Sequence, residues 1–182
     1  MLGTISMLAT AVALSASLAT AAPGERKDLQ VFNDVAKSVN GYTRFTVFDD
    51  VQARVKDGMV VLSGRVTMPY KKDDLERRVR QLPGVVGLDN EIRVLPVSTF
   101  DDELRVRIAR AIYGNSSFWQ YAAMANPPIH IVVENGRVTL SGVVNSQVER
   151  MLARSLATQF GALSVTNNLK TDEEVQAELE KM

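Results

Sequence analysis

Cysteine is absent from the 182 residues, histidine occurs once, at His130, and tryptophan once, at Trp119. Without cysteine there is no disulfide, no thiolate nucleophile, no lipid carried on a cysteine and no mixed Cys/His metal cluster, so no metal or other cofactor is expected. Charge of one sign is lacking too, because 21 Lys and Arg balance 21 Asp and Glu. Neither half is a basic arm or an acidic tail. That removes the sequence-independent attraction on which non-specific nucleic-acid binders depend, and no nucleic-acid partner is expected. Beyond residue 22 no stretch is long and apolar enough to span a bilayer.

The first 22 residues carry no charge and end in small residues before Pro23. They read as a signal peptide with its A-x-A site at Ala19-Thr20-Ala21 and cleavage after Ala21 or Ala22, although no Lys or Arg opens the run; an uncleaved anchor helix is the alternative. The expected product is exported, periplasmic and soluble.

What the chain does have is one segment written twice. VKDGMVVLSGRV at 55–66 returns without a gap as VENGRVTLSGVV at 133–144. The match continues downstream, where Gly84 answers Gly161 and Asn90 answers Asn167. Such self-similarity marks a duplicated module. Val51, Ala53 and Val55, like Ile129, Ile131 and Val133, alternate with other residues at the period of a half-buried strand. Asp57-Gly58 and Asn135-Gly136 are two-residue hairpin turns, since both centres tolerate positive φ. Val60, Leu62 and Val66, or Val138, Leu140 and Val144, line one face of the returning strand. Gly64 and Gly142 fall on that face, where the missing side chain is expected to admit the following helix.

That helix carries Leu75, Val79 and Leu82 in the first copy. In the second it opens on the capping box Ser146-x-x-Glu149 and carries Val148, Leu152 and Leu156. An earlier helix has the stripe Leu29, Phe32, Ala36, Val39 in one copy and Leu104, Ile108, Ala111, Ile112 in the other. Third strands follow at about 88–95 and 164–170. The fold class is therefore α+β, with two repeated αββαβ modules at 25–97 and 98–171, each a three-stranded sheet covered on one face by two helices. Residues 172–182 form a short charged tail.

The pattern VxVxxGxVxLxGxV, followed by a helix, a Gly-centred turn and a strand with Asn, resembles the BON domain in tandem. The resemblance implies a non-enzymatic, osmotically inducible envelope protein that binds anionic phospholipid at a membrane surface, in osmotic or envelope stress. The alternative is a structural or protein-interaction module docking on an envelope protein.

The residues themselves offer little for catalysis. His130 has no nucleophile or orienting carboxylate at a telling spacing, and Ser63 and Ser141 lack the strand–turn–helix context of a nucleophile elbow. Gly84-Val85-Val86-Gly87 spells the loop of a KH domain but joins a helix to a strand and carries two valines. The run 70–80 is rich in Lys and Arg, yet Asp73 with Arg77, Asp74 with Arg78 and Glu76 with Arg80 are spaced to pair along a helix.

The copies differ most between their first helix and first strand. The second has a longer segment with Phe118, Trp119, Tyr121 and Met124, next to a second helix face carrying Val106, Arg110 and Tyr113. Rings with polar tips beside an arginine suit a lipid headgroup boundary, so these seven residues are the candidate lipid- or partner-binding site. In the alternative reading the three large rings fold back over the sheet or fill the seam between modules.

Overall fold

The computed structural model describes residues 23–179. The proposed signal peptide lies outside them. The first module runs α1 (Pro23–Asn40), β1 (Asp50–Lys56), β2 (Met59–Val66), α2 (Pro69–Arg80) and β3 (Gly87–Val94). The second runs α3 (Thr99–Tyr113), a 3-10 turn (Ser116–Phe118), α4 (Trp119–Ala122), β4 (Ile129–Glu134), β5 (Arg137–Val144), α5 (Gln147–Ala157), a second 3-10 turn (Thr158–Phe160) and β6 (Ser164–Thr171). The segment read as a charged tail forms a further helix, α6 (Asp172–Leu179), over its described part.

Each sheet has its middle strand in the centre, in the order β1-β2-β3 or β4-β5-β6. β1 and β2 pair antiparallel through a tight hairpin, whereas β2 and β3 pair parallel and need α2 as the crossover. The second sheet repeats this with β4, β5, α5 and β6. The hairpins turn at Asp57 (φ 52) and Gly58 (φ 75), and at Asn135 (φ 53) and Gly136 (φ 73), with positive φ at both centres as the sequence predicts. Each turn is also held from outside. The Asp28 carboxylate accepts from the backbone N–H of Asp57 and Gly58 at 2.8 and 2.9 Å, and Asp101 accepts from Asn135 and Gly136, both at 2.8 Å.

This contact fixes how the first helix of a module is rotated, and so corrects one expected stripe. With Asp28 facing the turn, the row facing the sheet is Val31, Val35 and Val39, all buried, while Leu29 and Phe32 are exposed. In α3 the row Leu104, Ile108 and Ile112 is buried as expected. In α5 the most deeply buried positions are Ala153 and Ala157; Leu152 and Leu156 pack at their side and Val148 is exposed. Small side chains there let α5 approach α3 closely.

Gly64 and Gly142 require a second correction. Their φ values are +127 and +115, and a Cβ would strike the carbonyl of Asp50 or Pro128 rather than a helix. The close approach is to the backbone at the neighbouring strand's entry.

The modules are packed together through the loop 41–49. The Ile131 N–H, on the open edge of β4, donates to the Val47 carbonyl at 2.6 Å. Phe48 packs against the second module's core, the Phe45 ring lies 5.5 Å from that of His130, and Arg65 pairs with Glu134 at 3.0 Å. The loop thus blunts an edge strand and carries an apolar plug. Phe48→Ala is expected to cost about 2 kcal/mol, less than a fully buried phenylalanine because the ring is half-buried, and to broaden the calorimetric transition as the modules begin to unfold separately.

Candidate functional site

The Ser98 hydroxyl caps α3 by accepting from the Asp101 N–H at 3.2 Å. With Leu104, Ile108 and Ile112 against the sheet, Val106 and Arg110, one turn apart, are left on the exposed side. Tyr113 is half-buried: its hydroxyl donates to the Ile129 carbonyl at 2.5 Å, and burial pushes the phenol far above its ordinary range. The helix ends at Gly114, and Asn115 accepts from the Ser117 N–H at 2.9 Å to start the 3-10 turn.

Here the seven candidate residues separate. Phe118 is 0% exposed and Tyr121 3%, and both belong to the second core with their rings 6.1 Å apart. Tyr121 donates to the Glu149 carboxylate at 2.6 Å and accepts from the Asn145 N–H at 2.9 Å. Burial and the Glu149 carboxylate push its phenol up to about 12. Phe118 and Tyr121 are therefore core residues and cannot serve as surface contacts. What they do is pin α4 to the start of α5. That anchoring leaves Trp119 70% exposed and Met124 49% exposed, on and just beyond a helix that packs against α3. The candidates left at the surface are Val106, Arg110, Trp119 and Met124, with Tyr113 half-buried.

Two other polar clusters were not read from the sequence. Asp49, fully buried, accepts from Lys71 Nζ at 2.5 Å, from the backbone N–H and hydroxyl of Thr46, both at 2.8 Å, and from those of Thr67 at 2.7 and 2.9 Å. Burial alone would raise its carboxyl, but Lys71 and the threonine bonds outweigh it and hold the group below the usual carboxylate range. The second cluster surrounds Asp74, which is bound by the Tyr42 hydroxyl at 2.6 Å, by Arg77 at 2.9 Å and by Arg44 at 3.9 Å. The Tyr42 bond, followed by the two arginines, outweighs partial desolvation and lowers this carboxyl. Of the pairs expected along α2, only Glu76 with Arg80 forms, at 2.8 Å. Arg78 instead lies 5.6 Å over the Tyr42 ring and donates to the Ser38 carbonyl at 3.2 Å. Spacing along one helix could not reveal this, because Tyr42 and Arg44 arrive from a loop.

Between the helix-free faces of the two sheets lies a cleft of about 650 Å³, with Gln52, Ser63 and Arg65 on one wall and Glu134, Arg137 and Thr139 on the other. Both signs alternate along it, so it presents no net field to an anion. Deeper in the seam, His130 and Ser141 are cross-strand partners, yet His130 Nδ1 and the Ser141 hydroxyl make no hydrogen bond. Among the described residues no group of three or more Asp, Glu and His side chains is placed to hold a metal ion.

This architecture is that of one αββαβ module repeated in tandem. The BON domain family model matches twice, over residues 30–96 and 101–173, and the chain belongs to that family. BON domains are in general non-enzymatic and are associated with phospholipid binding and with envelope and osmotic-stress proteins. Comparison with curated proteins gave no match. Among solved structures the chain is similar to the C-terminal domain of CdsD, the structural protein of the type III secretion system of Chlamydia trachomatis, at 17% identity and a TM-score of 0.32. That match covers 78% of this chain and 65% of the other. A second CdsD structure from the same organism gives 16% identity and a TM-score of 0.29, covering 83% and 97%. No helix among the described residues is long and apolar enough to cross a membrane.

Proposed function

We propose that the chain is a non-enzymatic periplasmic protein that binds anionic phospholipid at a membrane surface through Val106, Arg110, Trp119 and Met124 of the second module. The observation that carries this reading is the exposure of Trp119. The chain's only tryptophan stands 70% exposed while the aromatic residues on either side of it, Phe118 and Tyr121, are buried. An amphipathic ring held out on an anchored helix, in a module that also exposes Val106, Arg110 and Met124, suits the apolar-to-polar gradient of a headgroup layer.

Co-sedimentation with vesicles tests it. Trp119→Ala and Arg110→Glu are expected to weaken binding to anionic vesicles about tenfold each, and to leave the thermal transition within about 2 °C because both side chains lie outside the core. Binding that ignores lipid charge, or a transition that collapses with Trp119→Ala, contradicts the proposal. The protein-docking reading would then take its place.

A further inference from the structure

We infer that the first module supplies a second, chiefly electrostatic contact to the same anionic surface, through the arginine cluster around Asp74. This rests on the lipid-binding reading above and extends it across the seam.

The cluster is unbalanced. Arg44 and Arg77 share one carboxylate, Asp74, which also accepts from the Tyr42 hydroxyl, while Arg78 lies over the Tyr42 ring and bonds only a backbone carbonyl. Lys72 and Asp73 add one charge of each sign and Glu76 pairs with Arg80, so a positive surplus remains in a chain whose net charge is zero. Stability does not require it: Arg44 and Arg77 are 64% and 67% exposed at their side chains, and ion pairs so open to water contribute little to the fold. The half-exposed Tyr70 ring, 5.3 Å below the Arg44 guanidinium, gives the patch an amphipathic body.

Its position links it to the tryptophan surface. Arg78 donates to the carbonyl of Ser38 in the last turn of α1. Two residues on, the Asn40 carbonyl accepts from the Asn126 side chain of the second module at 2.7 Å. Asn126 follows Met124 by two residues, so the end of α1 touches the arginine cluster at Ser38 and, at Asn40, the chain two residues beyond Met124. Charge complementarity decides the occupant. A surplus of guanidinium groups beside an apolar, tryptophan-bearing segment fits an anionic bilayer, whose surface potential reaches only about a Debye length, roughly 8–10 Å, into solution.

The test compares the full chain with Arg44→Gln/Arg77→Gln, following the fluorescence of Trp119 on vesicles of phosphatidylglycerol in phosphatidylcholine. The double variant is expected to bind more weakly by about fivefold for each arginine removed and to show a shallower dependence on salt. Arg44→Lys/Arg77→Lys should bind like the parent chain, which separates charge from folding. Arg54→Gln/Arg93→Gln removes the same charge from the helix-free face of the first sheet and should change little. If the glutamine variant binds like the parent, or loses no more than the Arg54/Arg93 control, the inference falls while the Trp119 surface stands. If the lysine variant binds as weakly as the glutamine variant, charge is not the cause and the inference also falls. If the parent chain does not bind the anionic vesicles at all, the lipid reading itself is wrong and this inference goes with it.

Discussion

Asp49→Ala should lower the stability of the chain by about 3–5 kcal/mol, measured by denaturant unfolding, because it strands the Lys71 ammonium in a site where its side chain is only 4% exposed. The same change leaves the donors of Thr46 and Thr67 without their acceptor. It reaches further than its own module, since Thr46 begins the turn that presents Val47 and Phe48 to the second module. The pH dependence has a definite sign. The folded carboxyl lies below its unfolded value near 3.8, so the unfolded chain takes up the proton first. The contribution of Asp49 is therefore fully present above about pH 5 and is lost as pH falls through the folded value. In Asp49→Asn this part of the acid limb should disappear from a plot of stability against pH.

Gly142→Ala is the second large expected effect, about 3 kcal/mol or more. Two terms add: a φ of +115, which an L-residue adopts only with strain, and a Cβ that collides with the Pro128 carbonyl, a backbone atom that cannot swing aside. Gly161→Ala is the matched control. It also has positive φ, +77, but nothing lies within 4 Å of the added carbon, so only about 1 kcal/mol is expected. Equal losses at the two sites would mean that backbone strain alone, and not close strand approach, explains Gly142.

The two glycines also show where the sequence is legible and where it is not. Period-two alternation and the Asp57-Gly58 and Asn135-Gly136 turns are local signals, and strands and hairpins follow from them. What a glycine lets in is a tertiary fact, so the sequence points to a helix at Gly64 and Gly142 where the close approach is to the entry of the adjacent strand. Helix rotation fails for the same reason. The Leu29, Phe32 and Val31, Val35 rows are both apolar, and only the bond from Asp28 to the hairpin turn, across about thirty residues, selects the second. At the candidate site, composition located the segment but could not divide its rings. Tyr121 is buried because Glu149 and Asn145 satisfy its hydroxyl, whereas Trp119, two residues earlier, faces the other way. Spacing along α2 hides the Asp74 cluster, because Tyr42 and Arg44 reach it from a loop.

Trp119 is the chain's sole tryptophan, so its emission reports on the proposed surface with no competing signal. Titrating the full chain with anionic and with neutral vesicles should shift that emission to the blue on the anionic series alone, with the shift reversed by salt as the charge is screened. An emission that stays at its aqueous position through the anionic series, with the chain folded, would contradict membrane binding by the second module.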